Sequence, residues 1–444
     1  GMFSNRQLKR LIFPLFVEQL LGMLVGMLDT VMVSNAGEAA ISGVSIVNDV
    51  NNLAIMLLSA IAGGGAVVVS QYLGNRDTKN SNLSAGQLVL LSLLISTGIS
   101  VVCLAFYKEI LHFLFGAVEA DVMVSAETYF WITALSFPFL GMYNACAAIY
   151  RSMNLTKSTM YVSMIMNSIN VIGNAILIYG FHMGAAGVAW PTLVSRAVAG
   201  ILMMYLAFHY ENVVQLKLQN ILHFHKDMLG KIISIALPNG IENGLFQLGK
   251  IIVSAIVATF GTTQIAANGV ANSLVILAYT TESTMQLAIV TVIGQCVGAN
   301  DYDQAKYYIK KMVKLAYVMA LVTNVIMACV FPFAIQIFHI SSETASITLT
   351  ISLMECIAIV LFHAPAFVLP CALRAAGDAK FTMYVGVISM FVARVGGAYV
   401  LGQVLGLGVI GTRIAMYIDW VVRIGFFVFR YVSNKWMNYR VVDA

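Results

Sequence analysis

Apolar runs, most of them at or above the roughly 20 residues that a helix needs to cross a bilayer, follow one another along this chain with short polar breaks between them. They fall at 11–34, 44–70, 84–107, 122–149, 159–180 and 185–208, and again at 231–260, 265–296, 309–338, 345–373, 381–404 and 408–432. The pattern predicts an all-α integral membrane protein with twelve transmembrane helices. It also predicts the organisation: a tail over 1–10, six spans over 11–208, a polar linker over 209–230 carrying His223 and His225, six spans over 231–432, and a tail over 433–444.

The two sets of spans are copies of one unit. An offset of 224 pairs Pro14 with Pro238, Glu18 with Glu242, Gly37 with Gly261, Asn48 with Asn272, Gln71 with Gln295 and Gly74 with Gly298. Further along, an offset of 223 pairs Arg151 with Arg374, Lys157 with Lys380, and Thr159, Met160, Tyr161, Val162 with Thr382, Met383, Tyr384, Val385. An even number of spans per copy makes the two repeats parallel, each forming one lobe. A duplicated membrane unit is the usual sign of a transporter that rocks one half against the other.

Composition agrees: 60% of the 444 residues are hydrophobic and 10% are charged, against about 25% charged in an average soluble domain. A water-soluble protein is excluded. The net charge of +5 reads as topology rather than nucleic-acid binding, because the basic residues sit in short segments between apolar runs. Those segments are the tails and the even-numbered loops, with Arg6, Lys9, Arg76, Lys157, Lys226, Lys310 and Lys435 among them, whereas the odd-numbered loops hold Lys108 beside Glu109, Glu119, Asp121 and Glu127. The positive-inside rule then puts both termini in the cytoplasm, as expected for a multi-pass protein of the cytoplasmic (inner) membrane. The six cysteines lie in apolar stretches without CxxC or Cys/His spacing, so neither a disulfide nor a structural zinc is expected, and no cofactor is implied. Gly1 ahead of Met2 reads as a cloning remnant.

Charges and amides inside the spans are the candidate chemistry, since a carboxylate at the centre of a spanning helix costs about 2.5–3.5 kcal/mol even on insertion scales. In the first span Glu18 and Asp29 stand eleven positions apart on one face, with Gly22 and Gly26 between them. The fifth span carries Ser163, Asn167, Asn170 and Asn174 as a stripe, and Thr192 follows Pro191 in the sixth. Asp29, Asn170, Asn174 and Thr192 form the expected ion-coupling site: hard oxygens suit sodium, and a desolvated carboxyl suits a proton. Taken singly, the asparagines are better explained as hydrogen bonds tying helices together. Asp29 is not, with no basic residue on its own helix.

The second half is charged differently, with Glu242, Gln247 and Lys250 in its first span, Glu282 and Gln286 in the next, Glu355 and His363 in the tenth and Arg394 in the eleventh. Val253 stands where the first half has Asp29. Glu18, Glu242, Gln247, Lys250, Glu282, His363 and Arg394 are candidates for a substrate or second-lobe site. Two readings stay open: Lys250 and Arg394 neutralise Glu282 and Glu242 in a structural network, or the acids and His363 bind a cationic substrate or carry protons. Asp419 and Arg423 read as an internal ion pair. Met23, Met27, Met142, Met164, Met166, Phe246 and Tyr279 suit an adaptable cavity, although each singly is better explained by packing.

With these motifs the chain resembles, over essentially its whole length, the multidrug and toxic compound extrusion (MATE) family of the MOP superfamily. Leu28, Asp29, Thr30, Val31, Met32, Val33 looks like the family's first-helix motif, Ser70 to Asn75 (SQYLGN) like its second-helix exit, Asn170 to Gly180 (NVIGNAILIYG) like its fifth-helix pattern, and Arg374 to Asp378 (RAAGD) like the close of its tenth helix. The resemblance implies two six-helix lobes facing a central cavity, alternating access, and efflux of small organic cations driven by a proton or sodium gradient. Asp29 would be the coupling carboxylate, with Asn170, Asn174 and Thr192 around it. Some members carry an aspartate where this chain has Asn174, and others an acid near Phe246 and near His363, so the coupling residues of this chain depart from theirs. The expected partners are organic cations and the lipid bilayer, with no nucleic acid, and the expected state is a monomer.

The alternative on the same fold is a flippase or exporter of a lipid-linked or native metabolite. Such proteins usually have extra spans and a strongly basic cavity, for which Arg394 and Lys250 are too few. An intramembrane enzyme is not expected, because HExxH, paired His ligands and GxSxG are all missing. A symmetric channel fits the unequal interiors less well than rocking lobes do.

Overall fold

The computed structural model describes residues 2–443, so Gly1 lies outside the described residues. The secondary structure is helical throughout. α1 is Asn5–Ser34, α2 Glu38–Gly74, α3 Thr78–Phe115, α4 Ala120–Ala134, α5 Phe137–Ser152, α6 Thr156–Gly180 and α7 Ala186–Ala207. α8 is Lys226–Phe260, α9 Thr262–Gly298, α10 Tyr302–Phe338, α11 Ser342–Ala375, α12 Ala379–Val404 and α13 Val409–Val432.

Among the described residues ten of these helices are long and apolar enough to cross a membrane, and the bent pair α4/α5 makes an eleventh span. The twelfth is α13. Its apolarity is interrupted by Arg413, Asp419, Arg423 and Arg430, but Val409, Thr412, Arg413, Met416, Asp419, Trp420, Arg423 and Phe427 recur at helical spacing on one buried face, so its charges point into the bundle and not at lipid. The single run expected over 122–149 is broken by 45°. Pro138 in the first turn of α5 has no N–H to continue α4, and the Ser136 hydroxyl instead donates to Thr133 O at 2.5 Å.

Packing divides the chain into two compact units, one over Asn5–Gly240 and one from Ile241 onward, with α8 beginning in the first and continuing in the second. The first unit buries Val47, Leu111, Phe130, Ile132 and Phe137. It also holds the polar linker expected over 209–230: the Gln87 side chain on α3 donates to Asn220 O and His223 O at 2.7 and 2.6 Å and accepts from His225 N at 2.9 Å. The core of the second unit centres on Ala278, Ile359, Met416 and Trp420. Phe3 belongs to this unit, exchanging hydrogen bonds with the Tyr308 hydroxyl at 2.8 and 2.6 Å.

The repeat read from sequence is visible in the details of each unit. Gly37 and Gly261, 224 apart, open α2 and α9 with φ of 111° and 99°, a conformation that favours glycine. Asp77 and Asp301, again 224 apart, cap α3 and α10 by accepting from Asn80 N and Gln304 N at 3.1 Å each.

Candidate functional site

In the first unit α1 and α6 pack side by side and α6 packs on α7. A Cβ added at Gly173 would come within 2.8 Å of Pro191 Cβ, so the absent side chain lets α7 close against α6. The stripe of asparagines then faces α1. Asn170 Nδ2 donates to Asp29 Oδ2 at 2.7 Å, and Asn174 Nδ2 donates to Asp29 Oδ1 at 2.9 Å. Both partners are neutral amides and bring no positive charge to the carboxyl. Thr192 Oγ1 stands 3.4 Å from Asn170 Oδ1 and donates to Val188 O at 3.0 Å. Asn174 is fully buried, and its Oδ1 has no hydrogen-bond partner. The four expected coupling residues are therefore brought together.

Three of them, Asp29, Asn170 and Thr192, line a chamber of about 940 Å³ together with Gly22, Gly26, Thr30, Asn48, Asp49, Asn52, Tyr129, Met166, Asn167 and Arg196, and Asn174 is buried behind them. A Cβ at Gly22 or Gly26 would meet nothing within 4 Å, so these glycines leave room rather than admit another backbone. Two charged residues of the chamber escaped the sequence reading. Asp49 presents an exposed side chain there, and Arg196 is held on the α4/α5 bend by Ser136 Oγ at 2.9 Å. A charge inside an apolar run was the available signal. Carboxylate and amide oxygens around an open volume can take up a proton or a small hard cation.

Glu18 is not part of this chamber. It sits in an ion pair with Arg151 at 2.7 Å and accepts from Thr159 Oγ1 and Tyr143 OH. In the second unit Glu242 pairs with Arg374 at 3.0 Å. The repeat thus carries one Glu–Arg clasp per unit, and each clasp ties the first helix of its half to a residue about 130 positions away.

These pairs correct one expectation. Lys250 and Arg394 do not neutralise Glu282 and Glu242. Glu282 is buried against His363 Nδ1 at 3.1 Å, and Glu242 is held by Arg374. Arg413, another charge missed in sequence, takes Glu355 at 2.9 Å and donates to Asn268 and Asn272 at 2.8 and 2.6 Å, while the Tyr279 hydroxyl donates to the second oxygen of Glu355. Asp419 and Arg423 form the expected pair at 3.0 Å. His363 lies in a wide π-turn segment over Ile359–Val368, stacked on Phe367 with Tyr279 and Trp420 at its edges. Gln247 and Gln286 are half-buried on α8 and α9.

Comparison with known proteins places this geometry. The MatE family model matches residues 14–176 and again 238–400. The chain is 30% identical over 439 residues to the uncharacterized transporter YisQ of Bacillus subtilis, covering 96% of this chain and 94% of that one. It is 25% identical over 443 residues to the probable multidrug resistance protein NorM of Thermotoga maritima, covering 97% and 93%. Among solved structures, a multidrug resistance MATE family transporter of the MOP superfamily in an outward-facing conformation superposes with a TM-score of 0.91 at 18% identity, covering 97% of this chain and 96% of that one.

Proposed function

The chain belongs to the MatE family of membrane transporters, and from that premise we propose that it is a secondary antiporter, exporting organic cations by alternating access in exchange for protons or sodium ions. One observation carries the reading: a carboxylate in a spanning helix, Asp29, is held by two neutral amides at the edge of an open chamber. A carboxylate used only for packing is expected to be neutralised, because an unpaired charge in the bilayer is costly. Among the described residues no basic side chain pairs with Asp29. Uptake of a proton or sodium ion supplies the missing positive charge, and the ion's preference for one conformation over the other couples its gradient to the cargo.

When the ion is bound, the Asn170 and Asn174 amides hold Asp29 in place and their oxygens, with Thr192 Oγ, complete its surroundings. Asp49 offers the same chamber a second carboxylate for a cationic cargo. We place the protein in the cytoplasmic membrane as a monomer with both termini inside and assign it no enzymatic activity.

The test is reconstitution into liposomes, following ethidium while a proton gradient or a sodium gradient is imposed separately. Movement under one gradient names the coupling ion, and Asp29→Asn should abolish it while the protein still elutes as a folded species. Ethidium that moves under neither gradient, or equally well with Asp29→Asn, refutes the proposal; the first result would redirect the assay to lipid-linked cargo.

A further inference from the structure

Within the second unit every carboxylate inside the spans has a basic partner. Glu242 has Arg374, Glu282 has His363, Glu355 has Arg413 and Asp419 has Arg423. Apart from the lysines toward the starts of α10 and α12, two cations in these helices are left over. Lys250 on α8 and Arg394 on α12 form no ion pair among the described residues, and Arg394 Nε is buried without a hydrogen-bond partner. The two converge on one ring: Lys250 Nζ lies 5.7 Å and Arg394 Cζ 5.4 Å from the centroid of Phe246.

Neither bland explanation fits. Lys250 is ten residues from the end of α8 at Phe260, about 15 Å along the axis, too far for its side chain to reach the headgroups. A lipid-facing position is also excluded. The Phe246 ring beside it receives Arg423 from α13 at 5.6 Å and packs edge-on against Phe367 of α11 at 6.3 Å, so four helices of one bundle meet there. Arg394 lies in a π-turn segment over Met390–Val395, an irregularity common at functional sites. Yet the site is open, since the Lys250 side chain is exposed and Arg394 is only half-buried. Two unpaired cations beside an aromatic face, accessible and inside a membrane bundle, lack an anion.

We infer that Lys250 and Arg394 form an anion subsite, with Phe246 as its apolar floor, that takes the carboxylate or other acidic group of an amphipathic aromatic cargo. The inference rests on the exporter reading and deepens it, because the cargo range then includes zwitterions that carry an acid as well as a cation. The guanidinium offers a planar fork of donors and the ammonium a mobile point charge. The ring contacts stabilise both cations while the subsite is empty.

The test compares rhodamine B, which carries a free carboxylate, with its ethyl ester, which is a net cation and otherwise the same dye. Binding is read by fluorescence anisotropy on purified protein in phosphatidylcholine nanodiscs, against empty nanodiscs. Charge-assisted hydrogen bonds of ordinary strength make the acid bind about tenfold more tightly than the ester, or better. Lys250→Gln with Arg394→Gln should erase that preference while the ester binds at least as tightly as to the wild type, Arg394→Lys should retain part of it, and Lys250→Glu should reverse it. The reversal is a gain of ester binding, so it cannot come from a protein that fails to fold.

Equal affinities in the wild type, including no binding of either dye, would overturn the inference. So would a preference that survives the double substitution, or one that disappears when phosphatidylglycerol is included in the nanodisc, which would give the two cations to lipid headgroups. Because binding is read without a gradient, failure of the ester to be transported counts against the exporter reading alone.

Discussion

If the Glu18–Arg151 clasp is structural and its repeat in the second unit does the same work, removing both partners must cost less than the sum of removing each. The pair is 2.7 Å long, with side chains 6% and 17% exposed, so the interaction is poorly screened. Truncating one member of a buried pair typically costs about 3–5 kcal/mol, because the other charge stays buried without compensation. For a unit of this size each kcal/mol corresponds to about 2–4 °C, giving a fall in melting temperature of roughly 6–20 °C for Glu18→Gln or Arg151→Gln. The double variant buries no lone charge. Its cost should fall short of the sum of the single costs by about 0.5–3 kcal/mol, the range for directly coupled residues. Thr159 and Tyr143 donate to different oxygens of Glu18, so only one of them can still donate to the amide carbonyl that Glu18→Gln leaves in place. The assay is thermal unfolding in one detergent for wild type, both single variants and the double, repeated for Glu242 and Arg374 at 3.0 Å. Strict additivity in both units would refute the clasp. So would single variants that unfold at the wild-type temperature but lose gradient-driven transport, since that would make Glu18 a coupling residue instead.

Three further outcomes follow from the geometry. Gly173→Val, whose Cβ must displace Pro191 from 2.8 Å, should destabilise the protein by about 1–3 kcal/mol and depress ethidium transport more than ester binding, because it shifts α7 against the asparagine stripe that holds Asp29. Arg413→Gln should cost about 3–5 kcal/mol in thermal unfolding, leaving Glu355 with only the Tyr279 hydroxyl, and Glu355→Gln in the same chain should recover part of the loss. Asn174→Asp should place a second carboxylate against Asp29, so that repulsion is relieved only when a cation or proton is held between them; sodium protection against thermal unfolding should increase relative to wild type, and an unchanged sodium response would show that position 174 does not face the ion.

The architecture was legible because each span is an apolar run of nearly fixed length and because the two copies retain the same landmarks. The Asp29 site was legible for a related reason, since a 4-3-4 spacing of polar residues can present only one face to a neighbouring helix, and an acid without a base in its own span needs donors from elsewhere. Among ion pairs only Asp419–Arg423, one helical turn apart, was legible; the long-range partners were not. Glu18 and Arg151 are 133 residues apart, and no local period connects them, although both recur in the second copy as Glu242 and Arg374, and an acid and a base retained together in each copy was the usable signal. The break between α4 and α5 was hidden because Pro138 leaves hydropathy unchanged while removing one backbone donor. Asp49, Arg196 and Arg413 were overlooked because each is a single charge in an otherwise apolar run, and their partners or chamber become visible only in three dimensions.

The asymmetry of the two halves is concentrated at a few positions. The 224 offset takes Gly22 to Phe246, Gly26 to Lys250 and Asp29 to Val253, while the 223 offset takes Asn170 to Ala393 and Asn174 to Gly397. Glycines one turn apart, beside an acid with two amide donors, leave the first unit an open chamber with negative charge. A phenylalanine and a lysine at the matching turn, beside an apolar residue and two small ones, give the second unit an aromatic face with positive charge. Landmarks that build each bundle, the Glu–Arg clasp, the Asp caps and the positive-φ glycines, are shared at the same offsets. What divergence changed is therefore the charge each interior offers, not the way each bundle is held together. A transporter that moved only cations would gain nothing from carrying two unpaired bases through a membrane helix bundle at several kcal/mol. Their presence is the reason to test acidic cargo before extending any list of cationic dyes.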